Sequence, residues 1–281
     1  MRAVVRPDFD AGRTYIRCIS KVQDNDLKMR LENVTEHIIE AAIQYEMCAQ
    51  NEELHLIAQT DDVAGIVTKK EMAGVYKNRM ARKGSPGRSV YDAIKCLPDN
   101  GICPFCDQGY VSTLDHILPK MAFPELAVIP DNLVGACRDC NTAKLAAAPT
   151  KAEDAPLHPY FDEVSGRRWL GARVIESEVA AVVFHIAYVD AWSEELNARL
   201  KNQFELLGLD HLYASQAARE ISGQRKNLTR IFDVLGENGV REELDRQSRT
   251  WEEYRLNSWQ AVTFRVLSDS DWYCGGGLIG Q

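Results

Sequence analysis

Apolar residues recur at helical spacing near the start of the chain. Successive members at intervals of three or four are Leu27, Leu31, Val34 and Ile38. Polar residues fill the other face, so the pattern predicts an amphipathic helix over residues 24–56. Shorter helices are predicted over residues 69–82 and 89–96, because the sequence KGSPG at residues 83–87 interrupts the periodicity.

The middle of the chain carries short apolar runs instead, which are typical of strands. Residues 111–118 predict the first strand of a hairpin, and residues 126–129 and 132–134 predict the second. Pro119 and Pro124 lie in the intervening turn. The pattern therefore predicts a β-hairpin between the helical segments on either side.

The second half returns to helical periodicity after two more apparent strands. β-branched and apolar residues predict strands over residues 173–176 and 180–188. Packing helices are predicted over residues 194–207, 210–235 and 240–266. The first twenty residues predict a strand or an extended arm, and the glycine-rich end from residue 268 predicts a mobile tail. The pattern as a whole predicts an α+β protein that is mainly helical.

Composition adds the class of the protein. The 281 residues are 45% hydrophobic and 26% charged, which is typical of a soluble globular chain. The sequence contains neither an apolar run of about 18 residues nor a signal-peptide pattern, so we expect no membrane association and a bacterial-type cytoplasmic location.

Charge is distributed unevenly along the chain. The net charge is −8, which argues against binding to nucleic acid by bulk electrostatics alone. The segment from Thr68 to Cys96 nevertheless holds eight basic residues against two acidic ones. This basic stretch could guide a phosphate backbone, or it could be a solvated helix face. No interleaved aromatic and basic pattern of the kind used by RNA-binding sheets is present.

The eight cysteines fall into two groups. Four stand singly and are expected to be reduced, partly buried core residues: Cys18, Cys48, Cys96 and Cys274. The other four form two Cys-x-x-Cys pairs: Cys103 with Cys106, and Cys137 with Cys140. One such pair alone could be a redox dithiol or part of the core, but two pairs predict a tetrahedral structural zinc site.

The two cysteine pairs are far apart in sequence. Thirty residues separate Cys106 from Cys137, whereas simple zinc ribbons use about 15–20. The zinc is therefore expected to clamp the two ends of the predicted hairpin, which has no core of its own.

Between and just after these cysteines stand residues that a structural zinc module does not need. They are Asp115, His116, Asn132, Asn141 and Lys144. Hydrolysis of a phosphodiester requires an activated water and stabilisation of charge on the phosphate. Histidine can accept a proton near neutral pH, and carboxylate and amide oxygens are ligands that Mg²⁺ prefers. Each residue also has a plainer interpretation: Asp115 as a turn cap, Asn132 as a turn residue, Asn141 as a helix cap.

The sequence CPFC…LDHILPK…DNLVGACRDCNTAK, within residues 103–144, resembles the HNH endonucleases. The resemblance implies a zinc-stapled ββα-metal module at residues 98–150, between a helical region at 1–97 and a region of strands and helices at 151–281. It implies catalysis by hydrolysis of DNA, with RNA or tRNA as an alternative substrate. A non-catalytic zinc-stapled module that binds nucleic acid or protein is a further alternative.

Carried over by position, His116 resembles the general base of that family. Asp115 and Asn141 resemble the ligands of a catalytic Mg²⁺ or Mn²⁺ ion, and Asn132 resembles the residue that holds the hairpin loop and orients the base. The last position of the motif is Asn141 here, where many members of the family have histidine. Lys144 could contact phosphate or remain solvated.

A looser resemblance extends to the sequence LHPYFD, which contains His158. It covers bacterial HNH proteins that accompany an ATPase in anti-phage defence, such as Septu-like systems. It implies an ATPase partner, which we expect to bind the C-terminal helices. His158 itself is expected to be a structural strap over the module or a residue near the site. The other histidines, at positions 37, 55, 185 and 211, are expected to be packing or surface residues.

Overall fold

A computed structural model of the protein describes residues 1–144, 148–177 and 179–278. Contacts divide the chain into two compact units, Met1–Glu163 and Val164–Gln281. The protein is α+β, with many helices and small two-stranded sheets. Among the described residues, no helix combines the length and the apolar character that crossing a bilayer requires.

The first unit is built from helices and two short antiparallel strand pairs. Its helices are α1 (Ala11–Ile19), α2 (Asn25–Asn33), α3 (Thr35–Gln50), α4 (Lys69–Val75), α5 (Arg88–Lys95) and α6 (Arg138–Ala143). Its strand pairs are β1 (Asp62–Val63) with β2 (Val67–Thr68), and β3 (Thr113–His116) with β4 (Leu133–Ala136). The predicted arm is therefore extended only as far as Asp10, and the residues after it are helical.

Side-chain caps explain where the first helices begin. Asp10 accepts a hydrogen bond from the backbone N–H of Arg13, and Asp24 accepts one from the backbone N–H of Leu27. Acidic caps of this kind satisfy donors that the first helical turn leaves unpaired. The single helix predicted over residues 24–56 is interrupted at Val34, where the backbone leaves helical geometry between α2 and α3.

The predicted helix over residues 69–82 changes its winding halfway. Thr68 and Glu71 form a reciprocal capping box at the start of α4. From Tyr76 to Ala81 the chain then continues as a π-helix, a rare, wider turn that often lies at functional sites. The helix ends before the predicted break at KGSPG.

The β3–β4 hairpin is shorter than the pattern predicts. His116 pairs with Leu133 and Thr113 pairs with Ala136 at the two ends of the ladder. Much of the intervening chain forms turns of 3₁₀-helix at Pro124–Leu126 and Pro130–Asn132. Proline at the start of each turn fixes the backbone in a conformation that favours helix over strand.

The second unit combines one hairpin with three helices in its described part. The elements are β5 (Leu170–Ile175), β6 (Ala181–Ile186), α7 (Glu194–Leu206), α8 (Leu209–Tyr254) and α9 (Trp259–Ser268). A non-helical backbone at Gly236, where φ is positive, divides α8 into two helical parts and confirms the break predicted between residues 235 and 240. The helix predicted over residues 240–266 is interrupted once more, between Tyr254 and Trp259, where Ser258 caps α9.

Aromatic side chains form much of the core of the second unit. Trp169 is fully buried and its indole N–H donates to the carbonyl of Val164. The rings of Phe184 and Phe204 pack edge-on against Tyr213 of α8.

The glycine-rich end follows α9 directly. It forms a π-helical turn at Tyr273–Gly277 in which Tyr273 and Cys274 are buried. The prediction of a mobile tail is therefore wrong for this turn. Residues 279–281 lie outside the described part of the chain.

Candidate metal centre and catalytic site

Cysteines from two separate turns come together in the first unit. The Sγ atoms of Cys103, Cys106, Cys137 and Cys140 all lie within 4.8 Å of one another, and all four residues are buried. The Sγ atoms of Cys106 and Cys137 are 3.8 Å apart. Sulfurs at about 2.3 Å from one zinc ion would also stand about 3.8 Å apart in a regular tetrahedron. The cluster can therefore hold a metal ion such as zinc.

Backbone groups around the cluster favour charged sulfur. The N–H of Gly109 donates to Cys106 Sγ at 3.3 Å, and the N–H of Cys140 donates to Cys137 Sγ at 3.4 Å. Hydrogen bonds to the ionised form stabilise a thiolate, which is the form that binds metal. Gly109 is also required sterically, since a Cβ atom there would lie 2.7 Å from Cys137 Cβ.

The four single cysteines are all free and differ in exposure. Cys18 and Cys274 are buried, Cys48 is half-buried and Cys96 is exposed. Burial raises the pKa of the Cys18 thiol to about 12. Cys96 therefore departs from the expectation that these residues contribute to the core.

Strand β3 delivers the acid–histidine pair to the interior of the unit. Asp115 and His116 are its last residues, and they are only 6% and 8% exposed. Neighbouring residues within a strand point to opposite faces, so two adjacent side chains share a site only where a strand ends. β3 ends at His116.

His116 is held by one hydrogen bond and one ring contact. Its Nε2 lies 2.9 Å from the carbonyl oxygen of Ala127. Because a carbonyl only accepts, Nε2 carries the proton and Nδ1 is the basic nitrogen of the neutral ring. The ring of Tyr76 packs edge-on against His116 with 4.4 Å between centroids. Burial, together with the smaller effect of the charge of Lys120, lowers the pKa of His116 to about 3, so the ring is uncharged near neutral pH.

Asp115 is paired with Lys144. Lys144 Nζ lies 2.6 Å from Asp115 Oδ2, and both side chains are less than a tenth exposed. The ammonium also lies 5.0 Å from the centre of the Phe105 ring. Burial raises the pKa of Asp115, and the charge of Lys144 opposes this rise.

Asn132 ties the loop between β3 and β4 together. It is fully buried, and its side-chain oxygen accepts from the N–H of Leu118 at 2.8 Å. Its amide nitrogen donates to the carbonyls of Leu118 at 3.0 Å and Leu126 at 3.1 Å. Leu126 immediately precedes Ala127, whose carbonyl holds His116. Asn132 thus fixes the loop segment that contacts the imidazole.

Asn141 lies in α6, the helix that follows β4. It stands three residues before Lys144, so the two positions are neighbours on one side of the helical turn. Lys144 contacts Asp115 from that side. Asn141 therefore lies on the same side of α6 as Lys144, and its role as a metal ligand stays a prediction.

His158 is built into a strap over the hairpin. Its Nε2 lies 3.0 Å from the carbonyl of Asp131 and 3.0 Å from the hydroxyl of Tyr45. Nearby, the Tyr160 hydroxyl donates to the carbonyl of Leu133 at 2.7 Å. The contact of His158 with Asp131 and that of Tyr160 with Leu133 both reach the backbone beside Asn132. Of the two interpretations made from the sequence, this geometry favours the strap.

Two residues beside the pair were assigned no role from the sequence. Tyr76 comes from the π-helix and contacts His116, while Lys120 Nζ lies 5.3 Å from the centre of the Tyr76 ring. Lys120 is close enough to influence the pKa of both Asp115 and His116. The position of Lys120 four residues after His116 was available in the sequence, but nothing in the pattern linked Tyr76 to the hairpin.

The basic stretch divides into paired and unpaired side chains. Lys69 pairs with Asp61, and Arg88 pairs with Asp92 at 2.7 Å. Exposed basic side chains that form no ion pair with any described residue are Lys70, Lys77, Arg82 and Lys83. Part of the stretch therefore serves local structure, and part presents uncompensated positive charge.

Comparison with known proteins gives one informative similarity. The chain is 25% identical over 292 residues to protein ea31 of Escherichia phage lambda, an alignment that covers 94% of this chain and 97% of ea31. The similarity thus extends across both units. No family model matches the chain, and no solved structure matches it.

Proposed function

We propose that the protein is a metal-dependent HNH-type endonuclease that hydrolyses phosphodiester bonds of DNA. The observation that carries this proposal is the hydrogen bond from His116 Nε2 to the carbonyl of Ala127. It leaves Nδ1 as the proton acceptor of a ring whose neighbour in β3 is the buried residue Asp115. A histidine that only packed in the core would not need a neighbouring acid and a buried lysine.

The chemistry then divides among the residues of the site. His116 Nδ1 takes a proton from the attacking water. Asp115 and Asn141 offer oxygen ligands for Mg²⁺ or Mn²⁺, which would neutralise charge on the phosphate and on the departing oxygen. Asn132 keeps the imidazole in position through the loop that it ties together. Lys144 would be released from Asp115 when the metal binds, and its charge would then be available to phosphate.

The cysteine cluster has a supporting part in this proposal. A structural zinc ion on Cys103, Cys106, Cys137 and Cys140 would clamp the segment before β3 to the start of α6. With strand, strand and helix held in this way, the segment would be the ββα-metal element implied by the sequence resemblance. The role of the zinc ion would be to fix Asp115 and Asn141 relative to one another.

Plasmid cleavage tests the proposal directly. Supercoiled DNA is incubated with the full chain in Mg²⁺ or Mn²⁺, and the rate is compared with that of His116→Ala. The matched control is His211→Ala, because the His211 side chain is 93% exposed. We expect cleavage by the wild type and the control and a loss of at least about 100-fold in His116→Ala. Equal cleavage by His116→Ala would remove this residue from the mechanism.

The same assay separates the alternatives. No cleavage of DNA with either metal, together with zinc-dependent binding of DNA, would favour a non-catalytic module. Cleavage of RNA or tRNA but not of DNA would reassign the substrate while keeping the site.

We further propose that an ATPase partner delivers the nuclease to its substrate in anti-phage defence. The resemblance of LHPYFD and its flanking motifs supports this, as does a net charge of −8, which disfavours unaided binding to DNA. Genes adjacent to this one should then encode an ATPase, and the two proteins should co-purify when expressed together. A neighbourhood without an ATPase gene would count against this part of the proposal.

A further inference from the structure

Lys120 occupies a distinctive position at the edge of the candidate catalytic site. It lies in the loop that leaves β3, and its ammonium stands 5.3 Å from the centre of the Tyr76 ring. The same ring contacts His116, with 4.4 Å between centroids. Lys120 and the imidazole of His116 therefore both contact the same aromatic ring.

The charge of Lys120 has no acid of its own, because Asp115, the acid that attracts it, is already paired with Lys144. Lys120 forms no ion pair or side-chain hydrogen bond with any of the residues that the structure describes, although it is half-buried. Lys144, by contrast, is paired with Asp115. Partial burial of a cation is unfavourable unless a compensating group is supplied. The Tyr76 ring offers some compensation through its π-face, but it does not neutralise the charge.

The π-helix explains how Tyr76 reaches this place. The wider turn begins at Tyr76 itself. The hydroxyl of Tyr76 donates to the carbonyl of Leu114 in β3 at 3.4 Å. The Tyr76 ring is thereby fixed against the hairpin, where it contacts both His116 and Lys120. The exposed residue Lys77, which forms no ion pair with any described residue, follows Tyr76 directly in the chain.

We propose that Lys120 is a phosphate-binding residue that holds a non-bridging oxygen of the nucleic-acid backbone beside Asp115 and His116. The inference deepens the proposed function, on which it rests. A phosphodiester would bring Lys120 a negative charge that is not already paired with another cation, as the charge of Asp115 is with Lys144. The Tyr76 ring would hold the ammonium in place before the substrate arrives.

The salt dependence of DNA binding tests the role of Lys120. A short fluorescein-labelled DNA duplex is titrated with the full chain at several salt concentrations, and binding is followed by fluorescence anisotropy. The buffer contains no added Mg²⁺ or Mn²⁺, so that the labelled duplex remains intact. Chelators are omitted because they would compete for the cysteine-bound metal. The variants are Lys120→Ala, Lys120→Arg and the control Lys151→Ala, whose residue is exposed.

Loss of one phosphate contact reduces the slope of log K against log salt by about 0.9. We expect this reduction in Lys120→Ala, the wild-type slope in Lys120→Arg, and no change in Lys151→Ala. A purely structural lysine would lower stability without changing the slope, so thermal melting of each variant is recorded alongside.

Two results would overturn the inference: an unchanged slope in Lys120→Ala, or no measurable binding of the duplex by the wild type. Failure of the proposed hydrolysis is a separate result. If the plasmid is not cut but the slope falls in Lys120→Ala, Lys120 remains a nucleic-acid contact and the catalytic proposal alone is lost.

Discussion

At the scale of single residues, the most consequential contact is the buried pair of Asp115 and Lys144. The ammonium sits 2.6 Å from the carboxylate oxygen that a catalytic cation would also use. In the proposed site, Lys144 and the catalytic metal ion would therefore compete for the carboxylate of Asp115. This competition gives the metal-free protein a stable form, because neither charge is left buried without a partner.

Lys144→Met should reveal this competition. We expect the metal-free variant to lose about 3 kcal/mol of unfolding free energy, because Asp115 is left buried without its partner. Mn²⁺ should restore much of this stability and should bind more tightly to the variant than to the wild type. Urea unfolding with and without Mn²⁺ measures both effects.

The control for that experiment is Lys201→Met. Its ion pair with Glu205 is exposed on both sides, so its loss should cost less than about 1 kcal/mol. Weaker Mn²⁺ binding in Lys144→Met than in the wild type would contradict the idea that lysine and metal compete.

Asn132 carries a second prediction at this scale. Its side chain makes hydrogen bonds to the backbone of Leu118 and Leu126 in a fully buried position. Asn132→Ala should lower the unfolding free energy by about 3 kcal/mol, since several backbone groups lose their partner. Asn78→Ala, at an exposed position, should change stability by less than about 0.5 kcal/mol. Urea denaturation of both variants provides the comparison, and equal midpoints would contradict the prediction.

At the scale of elements, the turn from Cys106 to Gly109 decides whether the cysteine cluster can form. A methyl group at Gly109 would lie 2.7 Å from Cys137 Cβ and 2.9 Å from its Sγ atom. Gly109→Ala should therefore lower the zinc content and the melting temperature of the protein. Gly166→Ala is the matched control, since its added Cβ would meet no atom within 4 Å.

Zinc content per chain is measured with a chromogenic chelator after unfolding. We expect one equivalent in the wild type and in Gly166→Ala, and less in Gly109→Ala. Full zinc content in Gly109→Ala would show that the turn adjusts without loss of the cluster.

The sequence predicts these elements unevenly, for physical reasons. Paired cysteines impose their own geometry, so spacing alone was enough to place Cys103 and Cys137 in one cluster. The wider turn at Tyr76 could not be predicted, because π-helical winding here accompanies the contacts of Tyr76 with the distant hairpin, which lie outside the local periodicity. The extent of β3 and β4 was overestimated for a related reason. Apolar residues such as Val128 and Ile129 are buried in the loop rather than in a strand.

At the scale of the whole molecule, the candidate site and the tryptophan residues lie in different units of the chain. The cysteine cluster, Asp115 and His116 all belong to the unit Met1–Glu163. The five tryptophans of the sequence all lie in Val164–Gln281. Tryptophan fluorescence therefore reports on the second unit, whereas far-ultraviolet circular dichroism reports on the helices of both.

This distribution makes the effect of metal removal measurable unit by unit. A cluster of four buried thiols without its ion loses the clamp between the segment before β3 and α6, so chelation should destabilise the first unit. We expect an early melting transition in circular dichroism after chelation, while the tryptophan transition keeps its midpoint. Re-addition of zinc should remove the early transition. If both signals shift together, the two units unfold as one cooperative body, and the metal stabilises the whole chain.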